Sequence, residues 1–150
     1  MIKVLANDGI SASGEQALKN AGFEVITQKV AQEQLSHVIN EKDITVLLVR
    51  SATKVRKDLI DACPHLKIVG RGGVGMDNID VDYAREKGIN VINTPAASSA
   101  SVAELVFAHL FGMVRFLFDS NRQMPLSGDT DFVGLKKSYA NGKELAGKTL

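Results

Sequence analysis

Leu66-Lys67-Ile68-Val69-Gly70-Arg71-Gly72-Gly73-Val74-Gly75-Met76-Asp77-Asn78-Ile79-Asp80 is the stretch on which the fold turns. An apolar run ends at Val69, and Gly70, Gly72 and Gly75 then fit G-x-G-x-x-G. A dinucleotide fingerprint of that form needs a helix opening at the third glycine, so that its N-terminus holds a pyrophosphate. It also needs an acidic residue about 20 residues on for the ribose hydroxyls. Here Met76-Asp77-Asn78 prolongs the turn, and the next helical signal starts near Asp80. The following strand, Ile89-Asn90-Val91-Ile92, ends in Asn93-Thr94-Pro95 without a carboxylate. The stretch therefore reads as a strand whose C-terminal end carries a run of glycine amides, able to approach a ligand closely and donate to a carboxylate or other anion.

Outward from this loop, strand and helix patterns alternate. Strands are predicted over 2–6, 23–27, 44–49, 66–69 and 89–92, and helices over 13–21, 31–40, 55–63 and 81–87. Gly22 and Pro64 stop the first and third helices. Ile44-Thr45-Val46-Leu47-Leu48-Val49 is the β-branched and leucine run of a strand covered on both faces. The order implies a flavodoxin-like five-stranded parallel sheet, an α/β fold with helices on both faces.

Ligands on such sheets bind at the carboxyl ends of the strands, near the point where strand order reverses. Four segments stand there: Asn7-Asp8-Gly9, Arg50-Ser51-Ala52-Thr53-Lys54, the glycine run, and Asn93-Thr94-Pro95-Ala96-Ala97-Ser98. The first reads as an ordinary polar turn. Arg50-Ser51 reads as functional, because an arginine directly after a buried strand, beside hydroxyls that can cap the following helix, makes a compact anion site.

The 150 residues carry 18 basic and 17 acidic side chains, with no stripe of one sign, so nucleic acid is not an expected partner. One cysteine, Cys63, excludes a disulfide framework and reads as a buried small apolar residue in a reducing compartment. Residues 1–5 run straight into a strand without a signal peptide. The apolar stretch 103–118 carries Glu104, His109 and Arg115 and falls short of a membrane span. A soluble cytoplasmic protein with no metal site is the expectation. His109 reads as a packed histidine, and nothing around His37 or His65 suggests a site.

After Pro95 the character changes. Ser101-Val102-Ala103-Glu104 fits a capping box, opening a helix predicted over 101–123, roughly 35 Å long. Its first five turns are apolar almost all round, so it demands cover from another domain, another subunit, or both. Residues 125–148 read as a long polar connection, and Glu144-Leu145-Ala146-Gly147-Lys148-Thr149-Leu150 as a turn leading into a new strand. On this reading the chain is the front part of something longer.

Val49-Arg50-Ser51-Ala52-Thr53, the run from Ile68 to Asp80, Val91-Ile92-Asn93-Thr94-Pro95 and Ser101-Val102-Ala103-Glu104-Leu105 follow in order. Together they resemble the N-terminal part of the D-2-hydroxyacid dehydrogenases, and the resemblance covers essentially the whole chain. It implies an NAD-dependent oxidoreductase acting on the CH–OH group of a small phosphorylated 2-hydroxy acid. Residues 1–95 would be the substrate-binding domain. Residues 96–150 would begin the nucleotide-binding domain, cut before its dinucleotide fingerprint, with the helix around 101–118 as a homodimer interface.

The resemblance further implies that Arg50 and Ser51 hold the phosphate end of the substrate, and that Gly73, Val74 and Gly75 receive its carboxylate, with the Val74 and Gly75 amides as donors. Val74 would also touch the nicotinamide side of NAD, near an interdomain crossing at Asn93-Thr94-Pro95. The family's catalytic Arg, Glu and His lie later in its chain, so no catalytic residue is expected here and these 150 residues alone are expected to be inactive. Two other classes fit the residues less well. A phospho-acceptor receiver requires an aspartate at the end of the third strand, where Arg50-Ser51 stand. A non-catalytic binding or co-repressor-type module has no evident need for that pair.

Overall fold

Five short apolar segments form one parallel sheet: β1 (Lys3–Ala6), β2 (Glu24–Ile26), β3 (Val46–Val49), β4 (Ile68–Arg71) and β5 (Asn90–Asn93). The computed structural model describes residues 1–150. Strand order is β2-β1-β3-β4-β5, the flavodoxin-like order expected from the alternating pattern. The crossovers are α1 (Ala12–Asn20), a 3-10 turn (Gln32–Gln34) leading into α2 (Leu35–Glu41), α3 (Lys57–Ala62) and α4 (Val81–Glu86). Local chemistry explains the limits of α1. The Ser11 hydroxyl accepts from the Gly14 amide at 3.1 Å and caps the start. Gly22, at φ +86°, turns the chain after the last helical residue.

The middle of the sheet carries the core. Leu5, Leu47 and Val69, neighbours on β1, β3 and β4, are fully buried against Leu35, Ile39, Ile44, Val55 and Leu66. Each such side chain is worth about 1.5–3 kcal/mol on burial. β4 runs two residues further than the apolar pattern predicted. Gly70 and Arg71 pair with Leu48 and Val49 on one side and with Ile92 and Asn93 on the other. Gly70 is thus a sheet residue: a Cβ there would stand 2.8 Å from Leu48 Cδ2, so this glycine serves packing rather than the loop.

The chain divides into two compact units, Met1–Ala97 and Ser98–Leu150. The second departs from expectation in several places. The single helix predicted over 101–123 is two helices, α5 (Ser99–Val114) and α6 (Leu117–Ser127), bent by 52°. The break falls at Phe116, in the left-handed region at φ +53°, with no proline or glycine at the joint. Contacts from further along the chain hold it. The Lys143 amide donates to the Val114 carbonyl at 2.9 Å, and the Phe116 ring lies 6.1 Å from that of Tyr139, whose hydroxyl donates to Asp119 at 2.8 Å. α5 opens at Ser99, with no side-chain cap from Ser98, so the predicted capping box at Ser101 does not form.

Residues 125–148 are more ordered than predicted. α6 carries Pro125 in its last turn, and α7 (Phe132–Ser138) is capped by Asp131, which accepts from the Gly134 amide at 3.1 Å. The expected strand after Glu144 is instead a turn closed by Lys148 N–H to Leu145 C=O at 3.0 Å. α5 buries none of its residues, and His109 on it is exposed rather than packed. No single helix is long and apolar enough to cross a membrane.

Candidate active site

The point where strand order reverses lies between β1 and β3, and both strands deliver polar loops there. A cleft of about 500 Å³ opens between them, lined by Asn7, Asp8, Gly9, Thr27, Lys29, Arg50, Ser51 and Ala52. Arg50 follows the buried Val49, so the sheet fixes its backbone while its side chain stays exposed. Its stem passes over Gly72, where a Cβ would lie 3.6 Å from Arg50 Cγ. Ser51 is exposed beside it. Lys29 adds a second cation from the loop after β2, a residue that no sequence pattern singled out.

Asn7-Asp8-Gly9 is the scaffold of this cleft. Asp8 Oδ2 accepts from the amides of Arg50 at 2.7 Å and Thr53 at 3.0 Å, and Oδ1 accepts from the Thr53 hydroxyl at 2.8 Å. Asn7 donates to Thr53 Oγ1 at 2.9 Å and accepts from the Val30 amide at 2.8 Å. The Thr53 hydroxyl is therefore spent internally, and Thr53 is buried. Nor do the hydroxyls after Arg50 cap α3: the Lys57 amide donates to Asp80 Oδ2 at 3.1 Å instead.

Burial works to raise the Asp8 pKa. The amides of Arg50 and Thr53, the Thr53 hydroxyl and the charge of Lys29 outweigh it and hold the carboxyl below its ordinary value. A folded-state pKa below the unfolded one stabilises the chain above the unfolded value, and this contribution is lost as pH falls through the folded value. Asp8→Asn is therefore expected to flatten the loss of stability on acidification below about pH 4. Urea unfolding of both proteins at neutral and acid pH measures this, and parallel pH profiles would rule out the contribution.

The loop after β4 presents its donors by having its acceptors taken. Gly73 C=O accepts from the Thr94 amide at 3.1 Å, Val74 C=O from Asn93 Nδ2 at 2.7 Å, and Gly75 C=O from Arg71 Nη1. With three successive carbonyls held, the N–H groups of Val74 and Gly75 have no acceptor in the chain. Gly73 is different. Its N–H donates to Arg71 C=O at 3.0 Å, so it supplies shape and not a donor. At φ +156°, with a Cβ that would stand 3.2 Å from Arg71 Nη1, its place suits glycine. Val74 is half exposed at the loop's tip.

Other candidates fall away from this edge. Cys63 is buried, and burial pushes its thiol up to about 11, so it is no nucleophile at neutral pH. His37 lies 3.7 Å from Glu41 on α2, and His65 precedes β4 at the opposite edge of the sheet. No group of three or more metal-ligating side chains occurs.

Residues 4–144 match the family described as the D-isomer specific 2-hydroxyacid dehydrogenase, catalytic domain. A hydroxypyruvate reductase of Thermotoga maritima is 42% identical over 149 residues, which are 99% of this chain and 46% of that protein. A D-3-phosphoglycerate dehydrogenase of Methanocaldococcus jannaschii is 40% identical over 150 residues, 100% of this chain and 27% of that protein. The chain thus spans less than half the length of these relatives. Among solved structures, an NAD⁺-bound 3-phosphoglycerate dehydrogenase of Entamoeba histolytica superposes with a TM-score of 0.61 at 29% identity, over 76% of this chain and 39% of that one.

Proposed function

Since this chain belongs to the D-isomer specific 2-hydroxyacid dehydrogenase family, we propose that it is the substrate-side half of an NAD-dependent oxidoreductase whose substrate is D-3-phosphoglycerate. The product is 3-phosphohydroxypyruvate, which places the reaction in serine biosynthesis. One observation carries the reading. Two unspent amides, Val74 and Gly75, share a sheet edge with an exposed arginine and serine, Arg50 and Ser51. The amides suit a carboxylate and the Arg50-Ser51 pair suits a phosphate. Hydroxypyruvate, the substrate class named by the Thermotoga relative, lacks the second anion that Arg50 would hold.

On this reading the glycine loop is not the pyrophosphate cradle of the cofactor. No helix opens at Gly75; the next one begins at Val81 and has six residues, so no helix N-terminus stands at the glycines. NAD, when bound, supplies hydride chemistry at C2 of the substrate, and Val74 offers an apolar contact to its nicotinamide. The residues of this chain bind and orient the hydroxy acid. Neither His37 on α2 nor His65 before β4 stands at the carboxyl edge of the sheet, so neither is placed to handle the proton on the hydroxyl. Titrating NADH into the chain is expected to give no tight complex, and a dissociation constant in the low micromolar range would overturn this account of the loop.

The apolar α5 is proposed as a homodimer surface. The substrate assignment is tested by ¹⁵N-resolved NMR titration of the chain with D-3-phosphoglycerate. Shifts are expected at Arg50, Ser51, Val74 and Gly75. Shifts confined to other surfaces would sink the assignment.

A further inference from the structure

Arg50 is held at both of its peptide groups, from two different loops. Its N–H donates to Asp8 Oδ2 at 2.7 Å, and its C=O accepts from Asn78 Nδ2 at 2.8 Å. Asn78 Nδ2 also donates to the Thr53 carbonyl at 2.6 Å, while the Thr53 amide donates to the same Asp8 oxygen at 3.0 Å. Asp8 and Asn78 thus grip residues 50 and 53 alike, one at the N–H groups and the other at the carbonyls.

Asn78 ends the glycine loop and is itself fixed. Its carbonyl accepts from the Val55 amide at 2.9 Å, the Asp80 amide returns to the Val55 carbonyl at 2.9 Å, and Arg56 bridges Asp80 and the Asp77 carbonyl. The side chain is buried, and its Oδ1 has no donor in the chain. Turned over, the amide would set oxygen against two carbonyls, so the two acceptors fix its orientation. An orphaned buried acceptor is unfavourable. A residue retained for packing alone has no reason to carry one, whereas a residue needed for its two donors does.

We propose that Asn78 and Asp8 are positioning residues that set the separation between the Arg50 loop and the Val74–Gly75 amides, so that the site selects ligands whose carboxylate and second anion are spaced to match. This rests on the proposed pairing of phosphate with Arg50 and carboxylate with the glycine loop. The two loops belong to different crossovers, after β3 and after β4, and the backbone bonds of Val55 with Asn78 and Asp80 join those crossovers just beyond the site. Asn78 ties them directly, and Asp8 anchors the same residue to β1, the neighbouring strand across the reversal point.

The test uses Asn78→Ala and Asp8→Ala in the ¹⁵N-labelled chain, with D-3-phosphoglycerate and D-lactate as ligands of two anions and one. Asn78→Ala is expected to reduce the preference for the phosphorylated ligand by about 10-fold, the loss of two hydrogen bonds that hold one loop. Binding of D-lactate should change by less than about twofold, because it uses only the glycine loop. Equal weakening of both ligands would mean that Asn78 is merely structural. Amide hydrogen exchange gives a ligand-free arm: exchange at Arg50 and Thr53 should accelerate in both variants while the β1 and β3 amides stay protected. Unchanged exchange there overturns the clamp whether or not the chain binds either ligand. If exchange accelerates but the parent chain shows no preference for the phosphorylated ligand, the clamp stands, and both the phosphate assignment and the selectivity drawn from it fall.

Discussion

Replacing Arg50 by alanine in the complete enzyme is expected to raise the Michaelis constant for D-3-phosphoglycerate by roughly 10- to 150-fold. This is the loss of charge-assisted bonds worth about 1.5–3 kcal/mol. The size follows from where the residue stands. Its backbone is gripped by Asp8 and Asn78, its stem crosses Gly72, and its guanidinium makes no hydrogen bond or ion pair within the chain. Removing a side chain so placed takes away a ligand contact and little of the fold. An unphosphorylated 2-hydroxy acid should lose far less. Arg50→Lys should recover only part, because a point charge does not reproduce the bidentate fork. Steady-state kinetics on both substrates decides the matter, and equal losses would assign Arg50 to the carboxylate or to stability.

The second large effect is expected in self-association. Phe107 and Phe111 stand one turn apart on α5 with ring centroids 6.3 Å apart, and both are about half exposed. Leu105 and Met113 on other sides of α5, and Phe118 on α6, are exposed as well. An apolar surface of this extent is covered in a stable protein. In a symmetric dimer the two phenylalanines count twice, so Phe107→Lys with Phe111→Lys removes four buried rings at about 1.5–3 kcal/mol each. As each ring is already about half buried, about half of that is at stake, and dimerisation should weaken by roughly 100-fold or more. Light scattering should show a dimer for the parent chain and a monomer for the double variant, with the unfolding of the sheet unit unchanged. A parent chain that stays monomeric at high concentration removes the interface.

Most of the first unit is legible along the chain because its causes are local or periodic. The run from Ile44 to Val49 announces a doubly covered strand, and five strands joined by four helical crossovers imply the parallel sheet. The late helix read from Met76-Asp77-Asn78 is found as well, since α4 starts only at Val81. The second unit is read less well. The break at Phe116 has no glycine or proline to mark it and depends on Tyr139 and Lys143, more than twenty residues away. The order in residues 125–148 rests on α7 and on a proline tolerated in the last turn of α6.

The sequence by itself determined which segments become strands, the order in which they enter the sheet, and that Arg50, Ser51 and the glycines arrive at one edge. Period, turn chemistry and the handedness of crossovers are properties of short stretches. Only the tertiary structure decided which groups at that edge are free. The Thr53 hydroxyl is consumed by Asp8, 45 residues away, and the Val74 carbonyl by Asn93, 19 residues on. Asn78 reaches back 28 residues to the Arg50 carbonyl. A donor or acceptor is spent only once its partner is in place, and those partners meet only when the sheet has formed.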